Sequence, residues 1–181
     1  MNYWHDISAG DDAPQAVNVV VEIPKGSVNK YEYDEKQNIF ALDRVLRSSV
    51  HFPGDYGFIP QTLGEDGDPL DALILVSFPT YPGVLVTARP IGVLKMQDGG
   101  EGDDKILCVP MQDERMKDTM DVKDLQNAAR EEVAHFFEVY KQLEGKKIVL
   151  GGWHHVDAAH TIIEAAMARY KEKFPVNKKA G

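Results

Sequence analysis

From Val17 to Val109 apolar residues come in short, partly alternating runs, and Gly, Pro, Asn and Asp punctuate the gaps. That rhythm predicts a compact all-β unit. Strands are expected at Val17 to Ile23, Lys30 to Tyr33, Ile39 to Leu46, Ala72 to Val76, Val84 to Pro90, Ile91 to Met96 and Lys105 to Val109. The polar stretch Asp34 to Asn38 should close one hairpin, and the glycines between Asp98 and Asp103 a second. Further on the period lengthens from two to about three and a half. Val122, Leu125, Ala129, Val133, Phe136, Tyr140 and Leu143 share one helical stripe, with Asp121 as N-cap and Gly145 as stop. A second helix should begin after Asp157, bury Ile162, Ile163, Ala166, Tyr170 and Phe174, and end at Pro175, leaving Lys178 and Lys179 in a frayed end. Short strands followed by two helices predict an α+β, mainly β, fold, a small closed or partly closed barrel covered by helices.

Composition changes this picture little. The 181 residues, 43% hydrophobic and 27% charged, suit a single domain spanning 1–181, without repeat or linker. No apolar run is long enough for a membrane span, and Met1 to Gly10 lacks the pattern of a signal peptide. A lone cysteine, Cys108, lies in an apolar run and reads as a buried small hydrophobe, which points to the cytoplasm. Charge matters more. Twenty basic against twenty-nine acidic residues give a net charge of -9, so neither nucleic acid nor an anionic membrane is an expected partner. An anion can bind such a chain only at convergent Lys and Arg, or through metal ions that reverse the sign of a carboxylate cluster.

Such a cluster is present at Glu65-Asp66-Gly67-Asp68-Pro69-Leu70-Asp71, directly before the apolar run Ala72 to Val76. Hard divalent cations prefer carboxylate oxygens, and a turn at Gly67 and Pro69 can aim Asp66, Asp68 and Asp71 at one centre. The spacing does not fit a helix-loop-helix calcium site, because the expected ligand, Gly and Glu positions hold Leu70, Asp71 and Ser77. Asp98, Glu101, Asp103 and Asp104 form a second acidic group in the Gly-rich hairpin. If both converge at one barrel mouth, cations are needed to offset their mutual repulsion. Lys30 and Glu32 share a strand face, and Arg44, Tyr56, Tyr140 and Lys141 fall where a barrel can bring them to the same mouth.

The Asp-Gly-Asp-Pro-Leu-Asp core closely resembles the signature of the soluble family I inorganic pyrophosphatases. Further matching stretches include Val21-Glu22-Ile23-Pro24, Asn29-Lys30-Tyr31-Glu32, Asp43-Arg44, Asp55 to Pro60, Arg89 to Met96 and His135 to Lys141, so the resemblance runs from about Val19 to Trp153 in the family's order. It implies a five-stranded closed barrel of the oligonucleotide-binding type flanked by two C-terminal helices, assembled as a homo-oligomer, with a hexamer favoured. It implies hydrolysis of pyrophosphate by a metal-activated water, several Mg2+ ions per site, Mn2+ or Zn2+ as substitutes and Ca2+ as an inhibitor. By position, Asp66, Asp71, Asp98 and Asp103, with Glu22 as an outer carboxylate, would bind metal. Asp68 would be the general base, and Lys30, Glu32, Arg44, Tyr56, Lys105, Tyr140 and Lys141 would contact substrate. One departure stands out: Phe52 precedes Pro53 where many relatives carry Tyr.

Other readings have less support in the residues. Arg130-Glu131-Glu132-Val133 suggests the metal box of nucleotide phosphohydrolases, but Ala134-His135 follows where acids are needed. An oligonucleotide-binding barrel wants a basic groove with stacking aromatics, and these loops are acidic. His154, His155 and His160 lack the spacing of a zinc site and read better as surface, capping or subunit-contact residues.

Overall fold

The computed structural model describes residues 1–175, so Lys178 and Lys179 lie outside the described residues. In chain order it contains β1 (Val17–Ile23), β2 (Asn29–Asp34), β3 (Ile39–Val45), β4 (Asp55–Ile59), β5 (Leu70–Ile74), β6 (Leu85–Asp98), β7 (Glu101–Gly102), β8 (Lys105–Pro110), α1 (Asn127–Val139), β9 (Ile148–His155) and α2 (Val156–Lys173). Pairing runs β1-β4-β5-β8-β6, and the first residues of β6 return to β1, so five strands close into a ring. β5 and β8 run parallel, whereas the other ring pairs are antiparallel. The second half of β6 carries β9 on its outer side, and β2 with β3 forms a separate two-stranded hairpin. The expected closed five-stranded arrangement with C-terminal helices is therefore present.

Alternation sorts the strand residues between two helices, because successive side chains leave a strand on opposite faces. Ala72, Ile74, Ile106 and Cys108 pack with Ala159, Ile163 and Ala166 of α2. Their neighbours Leu73, Leu107 and Val109 pack with Phe136 and Phe137 of α1, where Phe52 is also buried. No helix among the described residues is long and apolar enough to cross a membrane.

The structure corrects several expected boundaries. β4 was not expected as a strand: all five residues are buried, so it shows no alternation, and Gly57 resembles a turn. Gly57 is instead required by closeness, since a Cβ there would lie 1.9 Å from the Val20 carbonyl oxygen of β1. Val84 to Pro90 and Ile91 to Met96 are one long strand, with Pro90 tolerated at an irregular register between Pro90 and Gly92. β9 was hidden by Gly151-Gly152, which sits at a second irregularity in its pairing with β6. The first helix begins at Asn127, not after Asp121. Asp121 caps a 3-10 turn at Val122–Asp124, and its carboxylate also meets His155 Nδ1 at 2.8 Å and the Val156 N–H at 3.2 Å. Leu143 is exposed beyond the helix end, and α2 starts at Val156, one residue before Asp157.

Candidate active site

One end of the ring opens into a cleft of about 550 Å³. Its wall draws on several elements: Glu22 of β1, Lys30 and Glu32 of β2, Tyr56 of β4, Asp66 and Asp68 of the β4–β5 loop, Asp71 of β5, Asp98 at the end of β6, Asp103, Lys105 of β8, and Tyr140 and Lys141 just after α1. Thus both acidic groups converge, although nearly thirty residues of chain separate Asp71 from Asp98. Register explains the meeting. Ala72 stands opposite Ile106, which places Asp71 beside Lys105, and Gly99 and Gly100, at φ +62° and +95°, turn the tight hairpin that aims Asp98 inward.

Lys105 is the centre of the arrangement. Its side chain is only 3% exposed, its ammonium is bonded to the carboxylates of both Asp71 and Asp103, and it lies 5.7 Å from the centroid of the Tyr56 ring. Burial alone would lower its pKa, but the two carboxylates outweigh burial and raise it, so Lys105 stays charged. Lys141 similarly holds Asp98 at 2.6 Å, and that ammonium keeps the Asp98 carboxyl below its usual range against the opposing effect of burial. Lys30 is bonded to Glu32 on the same strand face and reaches Asp43 at 3.4 Å.

The remaining acids lack enough cation. Burial, reinforced by the Asp71 charge, pushes the Glu22 carboxyl up to about 8, although the Tyr33 N–H donates to it at 2.7 Å and Lys30 is near. Asp68 is raised by burial and by Asp66, Asp71 and Glu32, and Asp103 by burial and Asp71 in spite of Lys105. Burial and the same carboxylates also raise the Tyr56 phenol. Such a hard-oxygen set, short of positive charge, fits divalent cations of the magnesium class. As the side chains stand, no three His, Cys, Asp or Glu residues among the described ones are placed to hold a metal ion. Asp71 and Asp103 are turned onto Lys105, and Asp98 onto Lys141.

One expected site residue falls elsewhere, and the choice between the adjacent Asp103 and Asp104 is visible in their partners. Arg44 does not line the cleft: its guanidinium is held by Glu144 at 2.9 Å and by Asp43, beside Lys30 in the β2–β3 register. Asp104 points away from Asp103 and pairs with Lys95 at 2.5 Å. Conversely, Trp4, Tyr33, Glu35, Phe58 and Glu101 also line the cleft. Glu101 was visible within the second acidic group, but nothing in the local pattern marks Trp4 or Glu35. Phe52 is buried against Phe136 at 4.7 Å between ring centroids and does not line the cleft, so its missing hydroxyl is a core feature. Glu131 and Glu132 are exposed on α1, outside the cleft, and His154 and His155 are exposed as well.

A closed β-ring whose mouth sets lysines among a larger number of carboxylates defines a class of protein. Comparison with known proteins makes the class specific. The model of the inorganic pyrophosphatase family matches residues 19–171. Inorganic pyrophosphatase from Synechocystis sp. is 51% identical over 168 residues, 92% of this chain and 99% of that protein. Its counterpart from Halobacterium salinarum is 48% identical over 174 residues, 96% of this chain and 98% of that one. The crystal structure of inorganic pyrophosphatase from Thermus thermophilus aligns with a TM-score of 0.92 at 45% identity, covering 94% of this chain and 99% of its own. This chain belongs to the inorganic pyrophosphatase family.

Proposed function

We propose that the protein is a magnesium-dependent inorganic diphosphatase, hydrolysing pyrophosphate to two phosphates. The observation that supports it most is the cleft, in which three lysines stand among a larger number of carboxylates on a fold shared with pyrophosphatases along nearly its whole length. Glu22, Asp66, Asp71, Asp98 and Asp103 would hold the magnesium ions. Bound there, magnesium supplies positive charge and acidifies the attacking water. Asp68 accepts the proton of that water, a role suited to a carboxyl raised by burial and by neighbouring acids. With Asp71 and Asp103 among the residues that would hold metal, Lys105 would be available to donate to phosphate oxygens, together with Lys30, Lys141, Tyr56 and Tyr140. Glu32 steers Lys30, and Arg44 joins the phosphate contacts by leaving Glu144. Most of the rate gain in such a site is electrostatic, because charge builds on the transferred and leaving phosphates.

Phosphate release from pyrophosphate, measured with magnesium, with EDTA, with calcium in place of magnesium, and with ATP as a parallel substrate, tests the reading. Rapid release from pyrophosphate that needs magnesium and stops with calcium is expected. Efficient ATP cleavage under the same conditions would point to a nucleotide phosphohydrolase instead. Asp68→Asn should lower kcat roughly 10²- to 10⁴-fold with metal binding retained; near-normal turnover across pH would remove Asp68 from the base role. The same proposal includes a cytoplasmic homo-oligomer, with a hexamer favoured, and sedimentation velocity decides the assembly.

A further inference from the structure

The loop that carries Asp66 and Asp68 has no cation holding either carboxylate among the described ion pairs, so the course of its backbone bears directly on where those oxygens stand. Within the loop the bonds are few: the Gly64 N–H reaches the Asp68 carbonyl at 2.7 Å, and the Asp68 N–H reaches Asp66 Oδ1 at 3.1 Å. Its base, in contrast, is tied from two sides. The fully buried Thr62 accepts the Leu70 N–H at 2.9 Å on its hydroxyl, which donates to the Ile59 carbonyl at 2.6 Å and so joins the two stems of the loop. The Trp4 indole N–H donates to the Thr62 carbonyl at 2.9 Å. On the other side α2 grips Leu63 twice: its N–H donates to the Ala166 carbonyl at 3.0 Å, and its carbonyl accepts Arg169 Nε at 2.9 Å. The two clamps are themselves joined, since His5 Nδ1 lies 2.6 Å from the Tyr170 hydroxyl and Trp4 packs edge-on against Phe174.

We propose that Trp4 and Arg169 are positioning residues, two arms of a bracket made by the N-terminal segment and α2 that holds the Asp66–Asp68 loop in its cation-binding position. This rests on the metal-site reading above. Arg169 lies outside the cleft, and Trp4, whose side chain lines it, acts here through the indole N–H that holds the Thr62 carbonyl. Each fixes one peptide at the foot of the loop, and a small rotation there is amplified at the carboxylates several residues further along.

The test is Mn2+ binding to the full chain by calorimetry, with hydrogen exchange over residues 64–69 and steady-state kinetics on the same samples. Trp4→Phe keeps the ring and removes the N–H; Arg169→Met keeps the stem and removes the donor; Arg169→Lys restores one. Loss of a bond to a buried carbonyl should weaken Mn2+ binding roughly three- to tenfold in Trp4→Phe and Arg169→Met. Exchange in the loop should quicken, the kcat deficit should close at high magnesium while KM for pyrophosphate stays near its original value, and Arg169→Lys should recover most of the loss. A destabilising control, Arg89→Lys, loosens the guanidinium from the Met116 and Thr119 carbonyls and should leave Mn2+ binding unchanged. Unaltered Mn2+ binding in both folded bracket variants, or an equal loss in the Arg89→Lys control, overturns the proposal. If Asp66→Asn and Asp71→Asn also leave Mn2+ binding intact, it is the metal-site reading that fails, and the bracket with it.

Discussion

The ring and the β2–β3 hairpin each give a lysine to the same cleft, but they hold it in opposite ways. Lys105 sits on β8, where the next four residues are buried, and its ammonium has two carboxylate partners in fixed register. Lys30 sits on a hairpin in which no residue is fully buried, and its partners Glu32 and Asp43 are themselves exposed to solvent, at 54% and 30% of their side chains. The cleft therefore combines a cation enclosed by packing with one whose carboxylate partners are open to solvent. Glu22 forms the joint between the two parts, since it belongs to β1 of the ring and accepts the Tyr33 N–H of the hairpin.

The sharpest way to break this contrast is Gly57→Ala. The new Cβ must push β4 away from the Val20 carbonyl oxygen, so the ring should lose at least about 4 kcal/mol, read as the shift in urea midpoint. Next comes Lys105→Met, which leaves Asp71 and Asp103 facing one another without a cation. A loss of about 3 kcal/mol in the metal-free protein is expected, and added magnesium should recover part of it. Glu22→Gln has a smaller and pH-dependent effect. A carboxyl raised from 4.5 to about 8 binds its proton more tightly in the folded chain, so its contribution is intact below pH 4.5 and is lost as pH rises towards 8. In EDTA the thermal midpoint should therefore fall across that window, and Glu22→Gln should flatten the fall; an unchanged slope would show that Glu22 titrates normally. The smallest stability effect belongs to Lys30→Met, within about 0.5 kcal/mol because its ion pairs are exposed. Its effect should appear instead as a raised KM for pyrophosphate.

Legibility followed the same division. β1, β3 and β8 were readable because one face of each alternates or because flanking polar residues mark the ends. β4 and β9 were not, since burial on both faces erases the alternation of the first and paired glycines punctuate the second. Most of the charged residues that line the cleft could be named as candidates from the acidic loop and the family resemblance, yet two placements needed the fold. Asp103 and Asp104 are adjacent and chemically alike, and only the entry of the chain into β8 turns one onto Lys105 and the other onto Lys95. Arg44 is next to Lys30 by register, and only the packed turn after α1 shows that Glu144 holds it outside the cleft.

What the chain determined by itself is local: the periods that make strands and helices, the turn chemistry of Gly99-Gly100, and the supply of carboxylates that demands cations. These follow from contacts between residues close in sequence, where spacing alone fixes which side chains share a face. Tertiary structure decided what depends on distant partners: closure of β6 onto β1, the close approach that requires Gly57, the wedging of Lys105 between Asp71 of β5 and Asp103 ahead of β8, and the grip of Trp4 and Arg169 on the foot of the acidic loop. The energy of a charge or a hydrogen bond is set by burial and by the partner it meets, and neither quantity exists until the ring has closed.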